Sequence, residues 1–121
     1  IRPDELGKAL KTADVVIGAI RAKHGRTPCV VTEKMIQDMK EGSVIVDVSI
    51  DQGGCFETSE VTNHENPTFS KYGVVHYCVT NMPGAVPLTA TDALNKATLP
   101  YIIELANKGT EDSVRREKRR T

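Results

Sequence analysis

An excess of charge is the first thing this chain lacks: its 121 residues hold 16 Lys and Arg against 16 Asp and Glu. Nothing in that balance argues for nucleic acid or a membrane surface as a partner. No apolar run approaches the ~20 residues of a membrane-spanning helix, and no basic-then-apolar leader opens the sequence. Cysteine is scarce. Cys29, Cys55 and Cys78 are odd in number and lack C-x-x-C spacing, which argues against a disulfide framework or a zinc site. No metal is expected, and the thiols read as reduced packing residues of a cytoplasmic protein. There are no internal repeats. The chain starts at Ile1, in what reads as mid-domain, so the expectation is a fragment.

What is present is organised around one stretch, Gly42 to Glu57. Val44, Ile45, Val46 and Val48 make a β-branched run of the kind buried on both faces of a sheet. It drops abruptly into Asp51-Gln52-Gly53-Gly54, where glycines allow a sharp turn and close approach of a ligand. Ligands of open α/β sheets bind just beyond the carboxyl ends of the strands, which is where Asp51 falls.

The remaining elements read off in order. Pro3–Lys11 is a short helix, with Pro3, Asp4 and Glu5 in its first turn and Lys8 and Lys11 at the other end. Asp14–Ile20 is an apolar strand ending in small residues, and Arg21–Thr27 a polar loop. Thr32 is the N-cap of a helix to Lys40, with Met35, Ile36 and Met39 on one face and Gly42 past its end. After the central strand, residues 58–71 are polar, and Val74–Val79 forms a third strand. A turn-rich loop, Thr80 to Pro87, leads to a long helix over Thr89–Lys108, in which Pro100 is expected to cause a kink or begin a second segment. Residues 110–121 read as a polar, arginine-rich and disordered tail. The alternation predicts α/β: half of a doubly wound, Rossmann-like parallel sheet of about three strands, plus a long carboxyl-terminal helix. No G-x-G-x-x-G follows any strand, and no early strand ends on an acid that could take a ribose. In a dinucleotide fold, the pyrophosphate-binding half would then precede Ile1.

Several side chains have two readings from pattern alone. Asp51 is either a turn aspartate bonding its own backbone or a functional acid, and Asn81 either a turn former or a ribose ligand. Asp47, mid-strand among valines, reads as an internal partner or cap. His76 reads as a satisfied structural histidine, and His24 and His64 as solvated.

Two long motifs carry a resemblance. Val46-Asp47-Val48-Ser49-Ile50-Asp51-Gln52-Gly53-Gly54-Cys55-Phe56-Glu57-Thr58-Ser59 and His76-Tyr77-Cys78-Val79-Thr80-Asn81-Met82-Pro83-Gly84-Ala85-Val86-Pro87 resemble the bacterial alanine dehydrogenases. So does Ala97-Thr98-Leu99-Pro100-Tyr101, and the match covers about residues 3–109. The resemblance implies residues 1–88 as the second half of an NAD-binding domain and 89–109 as a helix returning to a catalytic domain. It implies Asp51 as a catalytic residue beside the nicotinamide. Ile20, Arg21, Val48, Ser49, Ile50, Val79, Thr80, Asn81 and Met82 would line the cofactor with it. The implied reaction takes L-alanine, NAD and water to pyruvate, ammonium and NADH in a homohexamer. Residues that grip the substrate carboxylate would lie in an amino-terminal domain, so the chain alone is expected to be inactive. The NAD-binding domain of a transhydrogenase is the second enzyme reading, and a non-catalytic truncated module the third.

Overall fold

The computed structural model describes residues 2–117. The backbone falls into two compact units, divided between Met82 and Pro83. The first unit holds α1 (Pro3–Leu10), β1 (Val15–Gly18), α2 (Glu33–Gln37), β2 (Val44–Asp47), β3 (Thr68–Lys71) and β4 (Val74–Tyr77). The sheet order is β1-β2-β4-β3. β1 pairs parallel to β2 with Val16 opposite Ile45, and β2 pairs parallel to β4 with Ile45 opposite His76.

The α/β half-sheet expected from sequence is therefore present, with one strand more than expected. β3 runs antiparallel to β4 inside the stretch read as polar loop. An edge strand on an antiparallel pair needs only one apolar face. Here Phe69 alone supplies it, stacking on His76 with ring centroids 4.7 Å apart. Tyr72 and Gly73, with φ of 56° and 73°, make the two-residue hairpin turn that this pairing requires. The other elements are shorter than their patterns suggest. α2 ends at Gln37 rather than Lys40 because Met39 N–H bonds Ile36 O at 3.1 Å, tightening the last turn. Thr32 is its N-cap, accepting from Met35 N–H at 3.4 Å.

One face of the sheet is covered. Ile45 and Val74 are completely buried there, together with Ile36 of α2, Leu10 of α1, Val31 and Phe56. His76 is buried among them. Its Nδ1–H donates to Val74 O at 3.0 Å, so Nε2 is the acceptor for the Thr58 hydroxyl at 2.8 Å. Burial lowers its pKa, which keeps the ring neutral and structural. The opposite face is not sealed as a strand buried on both sides would be: Val15 and Ile17 are exposed, and Val44 and Val46 are half-buried.

Gly18 ends β1 at a close approach. A Cβ on it would run into Cys55 Sγ and the Phe56 ring, both in the core. Gly18→Ala should therefore destabilise the chain by about 1–3 kcal/mol, the usual range for overpacking. Urea unfolding measures it. A loss below about 0.5 kcal/mol would show the ring and thiol moving aside freely.

The second unit is dominated by α3 (Pro87–Glu117). The kink expected at Pro100 is not there; the non-helical residue is Gly109, at φ 75° and ψ 172°. Proline's fixed φ suits a helix and costs it one backbone bond, whereas glycine can leave helical space outright. Beyond that break the backbone is helical again to Glu117, where sequence expects a disordered tail. Residues 118–121 of that tail lie outside the described residues. Leu88, Leu94, Leu99, Ile102 and Ile103 on this helix are all exposed. Among the described residues, no helix is long and apolar enough to cross a membrane.

Candidate functional site

Because β1 and β2 are parallel, the loops that follow them emerge at the same edge of the sheet. Between them lies an open cavity of about 290 Å³ lined by Ala19, Ile20, Arg21, Val48, Ser49, Asp51 and Gln52. Of the residues singled out in the sequence, Ile20, Arg21, Val48, Ser49 and Asp51 meet there. Ser49 welds the two loops. Its hydroxyl donates to Ile20 O at 2.9 Å, and its oxygen accepts from Ile20 N–H at 2.7 Å.

Asp51 rides on a short 3-10 turn, Ile50–Gln52, closed by Gly53 N–H on Ile50 O at 2.9 Å. Gly53 and Gly54 have φ of 98° and 75°, a left-handed pair that other residues adopt only with strain. Asp51 is exposed, and its carboxylate accepts from Asn81 N–H at 3.2 Å and 3.4 Å. Asn81 itself stands at φ 50°. Asparagine enters this left-handed region more readily than most residues, and here its N–H is bonded to the Asp51 carboxylate as well. The loops after β2 and β4 thus converge on the acid. Met82, half-buried, begins the next 3-10 turn, Met82–Ala85. Thr80 is half-buried and bonds Thr62 O at 3.4 Å. Five of the singled-out residues do not line the cavity: Thr80, Asn81 and Met82 on the loop after β4, Ile50, which is 4 % exposed, and Val79, which is wholly buried.

Sequence reasoning passed over the loop that covers the turn. Thr27 N–H donates to Gln52 O at 2.8 Å, and Arg26 Nη2 to Gly53 O at 3.3 Å. A Cβ on Gly53 would lie 2.6 Å from the Arg26 side chain. No local signal marks Arg26, since its partner is 27 residues away in a loop. Arg26, Thr27, Cys29, Gly54 and Glu57 also line a second, open cavity of about 440 Å³. The Glu57 carboxylate there accepts from Glu33 N–H at 2.6 Å, satisfying the start of α2. Among the described residues, no group of three His, Cys, Asp or Glu is placed to hold a metal ion.

Cys55 and Cys78 are packing groups as expected, whereas Cys29, expected to pack with them, is exposed. Burial first, then the neighbouring Asp47 carboxylate, pushes the Cys55 pKa up to about 12, and burial raises that of Cys78. Cys29 is exposed, its pKa raised by partial burial and by the charge of Glu57. An aromatic disulfide reagent at neutral pH should therefore modify Cys29 alone in the native chain, and all three thiols once the chain is unfolded. Rapid native labelling of a second thiol would contradict the packing.

Comparison with known proteins shows the family and the fold. A family model described as "Alanine dehydrogenase/PNT, C-terminal domain" matches residues 2–119. The alanine dehydrogenase of Staphylococcus epidermidis is 58 % identical over 105 residues, covering 86 % of this chain and 28 % of that enzyme. A solved L-alanine dehydrogenase superimposes with a TM-score of 0.79 at 51 % identity, over 90 % of this chain and 30 % of its own. A transhydrogenase from Sinorhizobium meliloti gives a TM-score of 0.66 at 27 % identity, over 74 % of this chain and 26 % of its own. The chain thus spans less than a third of the length of these relatives.

Proposed function

The chain belongs to the alanine dehydrogenase/PNT C-terminal-domain family, and we propose that it forms the nicotinamide side of the NAD site of an L-alanine dehydrogenase. The observation that carries this is the Asp51 carboxylate, exposed at the rim of the β1–β2 cavity and oriented by Asn81 N–H. The residues fit the group. Ile20 and Val48 offer apolar wall to a flat ring, and Asp51 keeps free lone pairs for a ribose hydroxyl or a reacting proton. Arg21 lines the same cavity with a positive charge. A cavity of about 290 Å³ suits half a dinucleotide rather than the whole.

Bound there, the nicotinamide supplies the two-electron acceptor. The chain's own part is orientation and proton handling. Ser49 fixes the distance between the walls by its paired bonds to Ile20, which is how a rigid site removes orientational entropy from the barrier. Ile20 and Val48 shield one face from water. Asp51 takes a proton or stabilises the positive charge that develops as the amine carbon is oxidised and water replaces nitrogen. Asn81, through its N–H, sets the direction in which the carboxylate points. Thr80 and Met82 lie on the same β4 loop and would extend the contact, while Ile50 and Val79 are buried and offer the cofactor no surface. A cytoplasmic homohexamer comes with this reading. The identity of 51 % to the L-alanine dehydrogenase structure, against 27 % to the transhydrogenase, favours amino-acid deamination over transfer between nucleotides.

A hybrid tests it. This chain is joined in place of the matching segment of the Staphylococcus epidermidis enzyme, and NADH formation is followed by absorbance. L-alanine-dependent reduction of NAD is expected. A folded, NAD-binding hybrid that is inert with L-alanine would overturn the assignment.

A further inference from the structure

Asp47 ends β2 wholly buried. A buried carboxyl is costly unless its oxygens are bonded, and here both are. Oδ1 accepts from Ser49 N–H at 3.0 Å and faces Cys55 Sγ at 3.6 Å. Oδ2 accepts from Cys55 N–H at 3.0 Å and from the Ser59 hydroxyl at 2.6 Å. Two of these donors are backbone amides, and they are not scattered. Ser49 opens the loop that carries Asp51, and Cys55 closes it. One carboxylate therefore grips both ends of the loop at its root. Gly54 makes the grip possible: a Cβ at that position would lie 2.7 Å from Asp47 Oδ2.

We propose that Asp47 is the positioning residue for Asp51. By holding the Ser49 and Cys55 amides it sets the loop at the height where the Asp51 carboxylate meets Asn81 N–H. Ser49, held in the same place, keeps its hydroxyl on Ile20. The consequence for turnover rests on the role given to Asp51 above; the geometric consequence does not. Asn cannot replace Asp47. It offers one acceptor oxygen and an NH2 group, which would confront one of the two backbone amides donor to donor.

The amide of Asn81 reports the outcome, because its proton lies in the hydrogen bond to Asp51. In 15N-labelled full chain, Asp51→Ala removes that bond and gives the reference displacement of the Asn81 resonance. Asp47→Asn is expected to reproduce at least about half of that displacement, since a hydrogen bond weakens steeply as its geometry opens. Ser59→Ala, which spares both backbone amides, is expected to reproduce less than about half. Asp47→Asn that lowers only the unfolding midpoint and leaves Asn81 in place would reduce Asp47 to general structure and overturn the proposal. If Asp47→Asn does not fold, amide exchange in the unsubstituted chain decides. The Ser49 and Cys55 amides are expected to be protected as well as those of β2, and exchange at open-loop rates would overturn the proposal. None of these measurements contains a nucleotide, so failure to bind NAD and failure of the clamp are separate results.

Discussion

In the hybrid enzyme, Asp51→Asn should lower turnover by about 10²–10⁴-fold, the usual contribution of a general acid–base group, while changing NAD affinity little. Asparagine keeps the size of the side chain, and its carbonyl oxygen can still accept from Asn81 N–H, so the turn and the left-handed Asn81 both survive. What is lost is the charge and the capacity to take a proton. An effect confined to turnover, with binding intact, is the signature of an interaction made at the reacting centre. Steady-state kinetics with NAD varied at saturating L-alanine, beside a direct NAD titration of the hybrid, separate the two. A loss smaller than about threefold would return Asp51 to the class of turn residues.

The second large effect is an absence of activity. Alone, the 121-residue chain should show no alanine-dependent NAD reduction and should bind NAD with a dissociation constant of about 1 mM or weaker, near −4 kcal/mol. On the proposed reading, the cavity between the β1 and β2 loops meets only the nicotinamide and its ribose. Nothing in the sequence offers the glycine turn and helix N-terminus that hold a pyrophosphate. Those backbone amides supply much of the affinity in dinucleotide folds. Calorimetric titration of monodisperse chain is the measurement, and micromolar binding would mean that the affinity lies elsewhere.

Much of this architecture was legible in the residues for identifiable reasons. Val44–Val46 and Val74–Val75 are β-branched runs, and Thr32 and Pro3 are helix-start signals that the structure honours. The Gly53-Gly54 pair announced a sharp turn and a close approach, and the structure has both: left-handed φ at each, with Arg26 against Gly53 and Asp47 against Gly54. β3 was not legible, since an edge strand with one apolar residue has no period to detect. The helix end expected at Lys108 meets the break at Gly109, whereas Pro100, the stronger breaker by propensity, lies inside the helix without breaking it. At the site, Asp51 and Asn81 stood out individually by motif, but their contact spans 30 residues and appears only in the fold. Asp47 was legible as an internal partner, while its two ends of grip were not: Ser49 and Cys55 donate through backbone, which every residue type possesses. Arg26 was invisible for the same reason, its acceptor being the carbonyl of Gly53.

The most direct measurement is a pair of titrations of the 15N-labelled chain, one with nicotinamide mononucleotide and one with adenosine monophosphate. Nicotinamide mononucleotide should shift the amides of Ile20, Val48, Asp51 and Asn81 at millimolar concentration, and adenosine monophosphate should leave them in place. Equal shifts with the adenosine nucleotide, or nicotinamide shifts confined to the cavity of Arg26, Cys29 and Glu57, would contradict a nicotinamide half-site at the ends of β1 and β2.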